Sequence, residues 1–137
     1  MRVVLDTNVL VSATLIFRGK ENRILDAWRR GAFDLVFSAA TLEELFRVLS
    51  YPKLRKHRWL TDEEVVMLLE ELASQSILVR GEVTVTASRD PEDDKFLSTA
   101  IEGGADFVVT GDKDLLSIDT FGKIRVVTPA HFLEVLP

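Results

Sequence analysis

The chain contains no cysteine and only two histidines among its 137 residues. The absence of cysteine excludes disulfides, thiolate metal sites and cysteine nucleophiles. The scarcity of histidine excludes a zinc site built on several imidazoles. Neither a Gly-x-Gly-x-x-Gly sequence nor a P-loop occurs, which disfavours the nucleotide-binding folds that carry them. Any metal that the chain binds must therefore be held by oxygen atoms, which favours Mg²⁺ or Mn²⁺.

Long hydrophobic runs are also missing. Asp6 interrupts the first apolar stretch, and the stretch from Val9 to Phe17 is too short to span a bilayer. No segment has the pattern of a secretory signal, so we expect a cytoplasmic protein without a membrane partner. The net charge of −5 argues against a wholly basic nucleic-acid-binding face but permits a local one. The length predicts a single domain over residues 1–137, and 47% hydrophobic residues suffice for a buried core.

Apolar runs alternate with amphipathic stretches, and this alternation predicts an α/β domain with a central parallel sheet. Strands are predicted at 2–5, 35–37, 77–79, 107–109 and 124–127, and residues 81–88 are a weaker extended or loop segment. Helices are predicted at 9–15, 21–30, 38–49, from 61 onward, from 90 to 102 and at 129–135. Two of their buried stripes are expected to include Phe46 and Ile101.

Acidic residues occur where these strands end and where the following helices begin. Asp6 and Asp112 each follow an apolar strand, while the pairs Glu43-Glu44 and Asp93-Asp94 lie in early helical turns. Each acid alone has an ordinary explanation as a helix cap or a partner of the helix dipole. A helical wheel does not choose cleanly within either pair.

The joint pattern of the acids is more informative than any one of them. A right-handed doubly wound fold brings such positions to one crevice at the carboxyl ends of the strands. Carboxylates gathered there would repel one another unless a hard divalent cation held them together. Clustered carboxylates with one or two Mg²⁺ ions bind phosphate oxygens and orient a water for in-line attack. Phosphodiester hydrolysis is therefore the reaction class that the pattern favours.

Four motifs together resemble the PIN-domain family, and most closely its small single-domain, VapC-like toxin ribonucleases. They are Val-Leu-Asp6-Thr7-Asn8-Val-Leu, Thr41-x-x-Glu44-Leu, Asp90-Pro-x-Asp-Asp94-x-Phe-Leu and Val-Thr110-Gly-Asp112-Lys-Asp114-Leu. They occur in the family's order and spacing, and the resemblance covers essentially the whole chain. It implies a three-layer PIN-like fold in which helices flank a parallel sheet of about five strands.

The resemblance also implies site residues and partners. It assigns Asp6, Glu44, Asp94 and Asp112 as the acidic quartet around Mg²⁺ or Mn²⁺, favouring Glu44 over Glu43 and Asp94 over Asp93. Asp114 falls where some members carry an additional acid that assists the water or the metal. It further assigns hydrogen-bonding support to Thr7, Asn8 and Thr110. The implied activity is endonucleolytic cleavage of RNA by a homodimer, with a protein antitoxin as a further partner.

A basic stretch from Lys53 to Trp59 is the candidate path for the RNA. Basic side chains bind phosphates, and an aromatic ring can stack on an unpaired base. The candidate contacts are Lys53, Arg55, Lys56 and Arg58. The alternative is a solvated loop with Trp59 tucked into the core.

Two other functions fit parts of the pattern. A haloacid-dehalogenase-like phosphatase also places an aspartate after its first strand, but it usually needs a second aspartate two residues later. Asn8 occupies that position here and cannot transfer a proton in that role. The other alternative is a non-enzymatic α/β binding module whose acids only cap helices.

Overall fold

Six strands form one sheet in the computed structural model, which describes residues 1–137. The strands are β1 (Arg2–Leu5), β2 (Asp34–Ser38), β3 (Ile77–Val79), β4 (Phe107–Val109), β5 (Thr120–Phe121) and β6 (Ile124–Val127). The helices are α1 (Thr7–Leu15), α2 (Lys20–Arg29), α3 (Ala39–Leu49), α4 (Pro52–Arg55), α5 (Asp62–Gln75), α6 (Asp94–Glu102), α7 (Lys113–Leu116) and α8 (Pro129–Val135). A 3₁₀ turn at Pro91–Asp93 leads into α6.

The strand order is β3-β2-β1-β4-β6-β5, and every neighbouring pair is parallel except β5 with β6. After β1, the chain adds β2 and then β3 on one side of β1. It then crosses back to place β4 on the other side of β1, where Val3 lies opposite Phe107 and Leu5 opposite Val109. The order thus reverses between β1 and β4, and open α/β sheets bind ligands beyond the carboxyl ends of the strands at such a reversal.

Helices cover both faces of the sheet. Alternate strand residues point to opposite faces, so Val3 and Leu5 belong to one apolar cluster and Val4 to the other. The first cluster includes residues of α1, α2, α3, α5 and α8, and the second includes residues of α6 and α7. Gly103 ends α6 directly against Val36, where a side chain has no room. The architecture is a three-layer α/β fold.

All five strands predicted from the apolar runs are present, as is the capping box of Thr61 and Glu64 that opens α5. The structure adds the two-residue β5, the short α4 inside the basic stretch and an earlier start of α1 at Thr7. The predicted burial of Phe46 and Ile101 is wrong, since they are 50% and 40% exposed. Their helices bury narrower stripes than the sequence pattern indicates, and these two side chains lie at the solvent edge of each stripe.

Residues 81–88 form no strand. They run as a loop beside α6, which settles the choice between extended strand and loop that the sequence left open. None of the helices combines the length and the apolar composition that a membrane crossing requires.

Candidate active site

Two aspartates lie beyond the carboxyl ends of the two strands that flank the reversal in strand order. Asp6 follows β1 and caps α1, accepting a hydrogen bond from the Asn8 backbone N–H at 3.3 Å. Asp112 follows β4 after Thr110 and Gly111 and caps α7 through the Asp114 backbone N–H at 2.9 Å. Both caps are what the sequence indicates for these residues, and each uses only one of the two carboxylate oxygens.

A third aspartate, Asp93, joins them from the 3₁₀ turn that leads into α6. Carboxylate oxygens of Asp93, Asp112 and Asp114 lie within 4.8 Å of one another, a spacing that would allow all three to ligate one metal ion. Asp93 is buried, and Asp112 and Asp114 are partly buried. The Asp114 carboxylate makes no hydrogen bond to the rest of the chain. We call these three side chains, together with Asp6, the acidic cluster.

The most unusual atom of the acidic cluster is Oδ2 of Asp93, which is buried and has no hydrogen-bond partner. Burial raises the pKa of Asp93 from 3.8 to about 7, and the neighbouring Asp112 adds to the shift through hydrogen bonding and charge. A hydrogen bond between two carboxyl groups requires that one of them keeps its proton. The site therefore favours a proton or a cation between these side chains over two bare negative charges.

Asp6 is held by Thr110. The Thr110 hydroxyl donates to Asp6 Oδ2 at 2.6 Å and accepts the backbone N–H of Asp112 at 3.0 Å, so one buried threonine positions both acids. Burial raises the pKa of Asp6, the Thr110 hydrogen bond opposes that shift, and the charges of Glu44 and Asp112 reinforce it. The expected supporting contact of Thr110 is thus present.

Glu44 extends from α3 to the margin of the acidic cluster. Its Oε2 accepts a hydrogen bond from the Thr7 hydroxyl at 2.9 Å and forms an ion pair with Lys95 Nζ at 3.1 Å. Thr7 therefore orients a carboxylate, as the resemblance implies. The Asn8 side chain is exposed, and only its backbone N–H contacts an acid.

Asp94 is not one of the acids whose carboxylate oxygens lie within 4.8 Å of one another, and its preference over Asp93 stays a prediction. Its Oδ1 accepts the backbone N–H groups of Ala87 at 3.1 Å and Ser88 at 2.7 Å, so this carboxylate fixes the loop. Helical spacing alone does not separate the two acids, because both lie one turn before the buried Leu97; the loop contacts of Asp94 separate them.

The basic stretch lies away from the acidic cluster. Trp59 donates from its backbone and ring nitrogens to the carbonyls of Thr14 and Ala13, at the far end of α1 from Asp6. A helix of this length spans about 14 Å. Trp59 is 39% exposed and packs edge-on against Phe17. It is therefore neither a free stacking surface nor a core residue.

Arg58, one of the candidate RNA contacts, is largely removed from solvent. Its side chain is 3% exposed, donates to the Leu49 carbonyl at 2.8 Å and pairs with Asp62. This contact closes the α3–α4 connection, so the structure engages Arg58 within the fold, and its contact with RNA stays a prediction. Arg55 also pairs with Asp62, at 2.6 Å, whereas Lys53 and Lys56 are exposed and make no ion pair.

A doubly wound parallel sheet with carboxylates gathered at its reversal point defines a class of α/β proteins with an acidic, oxygen-donor site. Within that class, the model of the PIN domain family matches residues 2–114, and the chain belongs to the PIN domain family. This membership confirms the resemblance in the motifs and removes the ground for the haloacid-dehalogenase alternative.

The chain is also similar to one protein sequence and to two solved structures. The chain is 33% identical to an uncharacterized protein of Methanocaldococcus jannaschii, over 98% of this chain and 90% of that protein. Its fold is similar to VapBC2 of Rickettsia felis, crystallised with a DNA fragment from its promoter, with TM-score 0.60 and 16% identity over 93% of this chain and 98% of that chain. It is also similar to FitAcB of Neisseria gonorrhoeae, with TM-score 0.56 and 19% identity over 94% of this chain and 99% of that chain.

Proposed function

We propose that the chain is a divalent-metal-dependent endoribonuclease that hydrolyses RNA phosphodiester bonds. Members of the PIN domain family are nucleases, and this chain belongs to that family. The observation that carries the proposal is the buried, unpartnered Oδ2 of Asp93 beside Asp112 and Asp114. A buried carboxylate without a donor is costly unless a proton or a cation compensates it.

The residues of the acidic cluster fit Mg²⁺ or Mn²⁺. All donors are carboxylate oxygens, which hard divalent cations prefer, and no thiolate or imidazole competes. The ion would be held by Asp93, Asp112 and Asp114. Asp6 would lie beside them, held by its hydrogen bond from the Thr110 hydroxyl. When bound, the cation would offset the mutual repulsion of the acids and polarise the phosphodiester and the water that attacks it.

The chain's own residues have separable tasks in this proposal. The Thr110 hydroxyl is hydrogen-bonded to the Asp6 carboxylate and to the backbone N–H of Asp112, and the Thr7 hydroxyl donates to Glu44. These bonds hold the acids in position without a ligand. Asp114, whose carboxylate is free of protein hydrogen bonds, would bind the ion through one oxygen and accept the proton of the attacking water through the other. The water oxygen forms a bond to phosphorus as the bond between phosphorus and a ribose oxygen breaks. That ribose oxygen leaves with the electron pair and takes a proton from solvent.

The test is cleavage of a mixed set of single-stranded RNA and DNA oligonucleotides with Mn²⁺, with Mg²⁺ and with EDTA. We expect RNA cleavage that needs the metal and is lost in Asp112→Asn. Asp119→Asn is the matched control, because Asp119 is exposed and makes no side-chain hydrogen bond or ion pair. Cleavage by Asp112→Asn at the wild-type rate would contradict the site, and cleavage of DNA alone would contradict the substrate.

We also propose that this nuclease is the toxin of a toxin–antitoxin pair. The toxin acts in the cytoplasm as a homodimer of this chain. The resemblance to small VapC-like proteins supports this role, as does the likeness in fold to VapBC2 and FitAcB. Expression of the chain alone should arrest growth, and co-expression of the neighbouring reading frame should relieve the arrest. Equal growth with wild type and Asp112→Asn would contradict the toxin role without touching the nuclease chemistry.

A further inference from the structure

The segment Arg80–Ser88 is an ordered wall although it belongs to no sheet. Seven of its backbone N–H groups donate to side chains of α6. Glu102 accepts four of these bonds, the Ser98 hydroxyl accepts one and Asp94 accepts two. Residues four apart lie on one side of a helix, so these three side chains form a single polar stripe. We call this stripe the α6 clamp.

A groove of about 380 Å³ lies between this wall, α6 and the β2–α3 turn. This volume is within the range of pockets that bind small ligands. The groove is lined mainly by small and hydroxyl-bearing side chains, among them Thr84, Thr86 and Ser98. Of its charged residues, Asp94 and Glu102 are engaged by the wall's backbone donors. The remaining charge is the cation Lys95.

Lys95 connects the groove with the acidic cluster. Its Nζ lies 3.1 Å from Glu44 and 3.4 Å from Glu92, and its side chain is 19% exposed. An ammonium group has three N–H donors, so two acidic partners leave one donor for a further acceptor. Glu44 in turn contacts Thr7, which follows Asp6 directly. An anion bound to Lys95 from the groove would therefore lie next to the acidic cluster.

We propose that this groove binds one unpaired nucleotide of the RNA next to the scissile phosphate, with Lys95 contacting a phosphate oxygen. The inference rests on the proposed function and names the path of its substrate. The hydroxyls of Thr84 and Thr86 are donors and acceptors, as is the ribose 2′-OH that distinguishes RNA from DNA. The size of the groove suits a single nucleotide rather than a duplex.

The first test fills the groove. In an Asp112→Asn background, which prevents cleavage during the measurement, Thr86→Tyr should raise the dissociation constant of a short fluorescein-labelled single-stranded RNA about tenfold. Thr86 is exposed, so the fold should tolerate the change, and an unaltered melting temperature would verify this. The matched control is Ser74→Tyr, in a different groove beside Glu71 and Gln75, and we expect it to bind like the parent.

The second test removes the cation. Lys95→Met should lower the slope of log Kd against log salt by about 1, the change expected for one lost phosphate contact, and Lys95→Arg should restore it. Lys123→Met, on the exposed β5–β6 turn, should leave the slope unchanged. An unchanged Kd with Thr86→Tyr or an unchanged salt slope with Lys95→Met would overturn the proposal that the groove binds a nucleotide, even if Asp112→Asn abolishes cleavage. Retained cleavage in Asp112→Asn would instead overturn the nuclease site.

Discussion

Asp93 and Asp94 are adjacent in sequence and equally buried, at 8% exposure, yet they belong to two different parts of the molecule. Asp94 belongs to the α6 clamp, where two backbone N–H groups satisfy one of its oxygens. Asp93 belongs to the acidic cluster, where its Oδ2 has no donor and its carboxylate lies within 4.8 Å of those of Asp112 and Asp114. A buried carboxylate surrounded by donors stabilises the fold. One surrounded by other carboxylates destabilises it through charge repulsion, and a bound cation can remove that repulsion.

The largest expected difference between the two aspartates is in catalysis. Asp93→Asn should lower kcat/KM for RNA cleavage by about a thousandfold, because a lost metal ligand removes several kcal/mol of transition-state stabilisation. Asp94→Asn keeps an oxygen that can accept hydrogen bonds from the loop amides. It should therefore lower kcat/KM by about tenfold at most. The measurement is the initial rate of cleavage with saturating Mn²⁺. The reverse order of effects would contradict the division of roles.

Stability should show the opposite order. Asp94→Ala leaves two loop N–H groups without their charged acceptor and should lower the free energy of unfolding by about 3 kcal/mol. Above pH 7, Asp93→Asn should raise the melting temperature of the metal-free protein, because it removes a buried charge without a donor. Thermal unfolding in EDTA measures both variants. A destabilised Asp93→Asn would mean that Oδ2 of this carboxylate has a donor after all.

The pH dependence of the metal-free protein follows from the raised pKa of Asp93. The folded chain retains a proton up to about pH 7 that the unfolded chain loses near 3.8. Stability should therefore fall as the pH rises between these values and level off above pH 7. Between pH 5 and 7.5 the melting temperature in EDTA should drop on the order of 5 °C. Asp93→Asn should flatten this slope, and an unchanged slope would place the titration elsewhere.

The same contrast between engaged and free side chains can be sharpened within the basic stretch. Arg58→Ala should lower the free energy of unfolding by about 1.5 kcal/mol, because it removes the buried bond to the Leu49 carbonyl. Lys53→Ala and Lys56→Ala should change it by less than about 0.5 kcal/mol. Urea unfolding distinguishes these outcomes. Equal effects for the three variants would show that Arg58 is not part of the fold's support.

Most of the sheet could be predicted because its strands are continuous apolar runs bounded by polar residues. β5 could not, since Thr120 and Phe121 carry no periodic signal and pair only because the Gly122–Lys123 turn returns the chain. The exposure of Phe46 depends on which neighbours cover α3. A single helix pattern does not contain that information.

Asp6 and Asp112 could be predicted as site residues because strand ends mark the crevice of a doubly wound sheet, whereas a role for Asp114 is implied only by the resemblance to the PIN-domain family. What separates Asp93 from Asp94 is the position of the Ala87–Ser88 loop. That position depends on contacts with side chains of α6 and is not encoded in any local motif. The burial of Arg58 is of the same kind, because only the folded chain brings it to the end of α3.

Calorimetric titration with Mn²⁺ is the most direct measurement of whether the acidic cluster, and not the α6 clamp, binds the metal. Wild type and Asp94→Asn should bind Mn²⁺ with similar affinity, while Asp93→Asn should lose most of the binding heat. Wild-type affinity in Asp93→Asn together with lost binding in Asp94→Asn would contradict the assignment of these two neighbouring carboxylates.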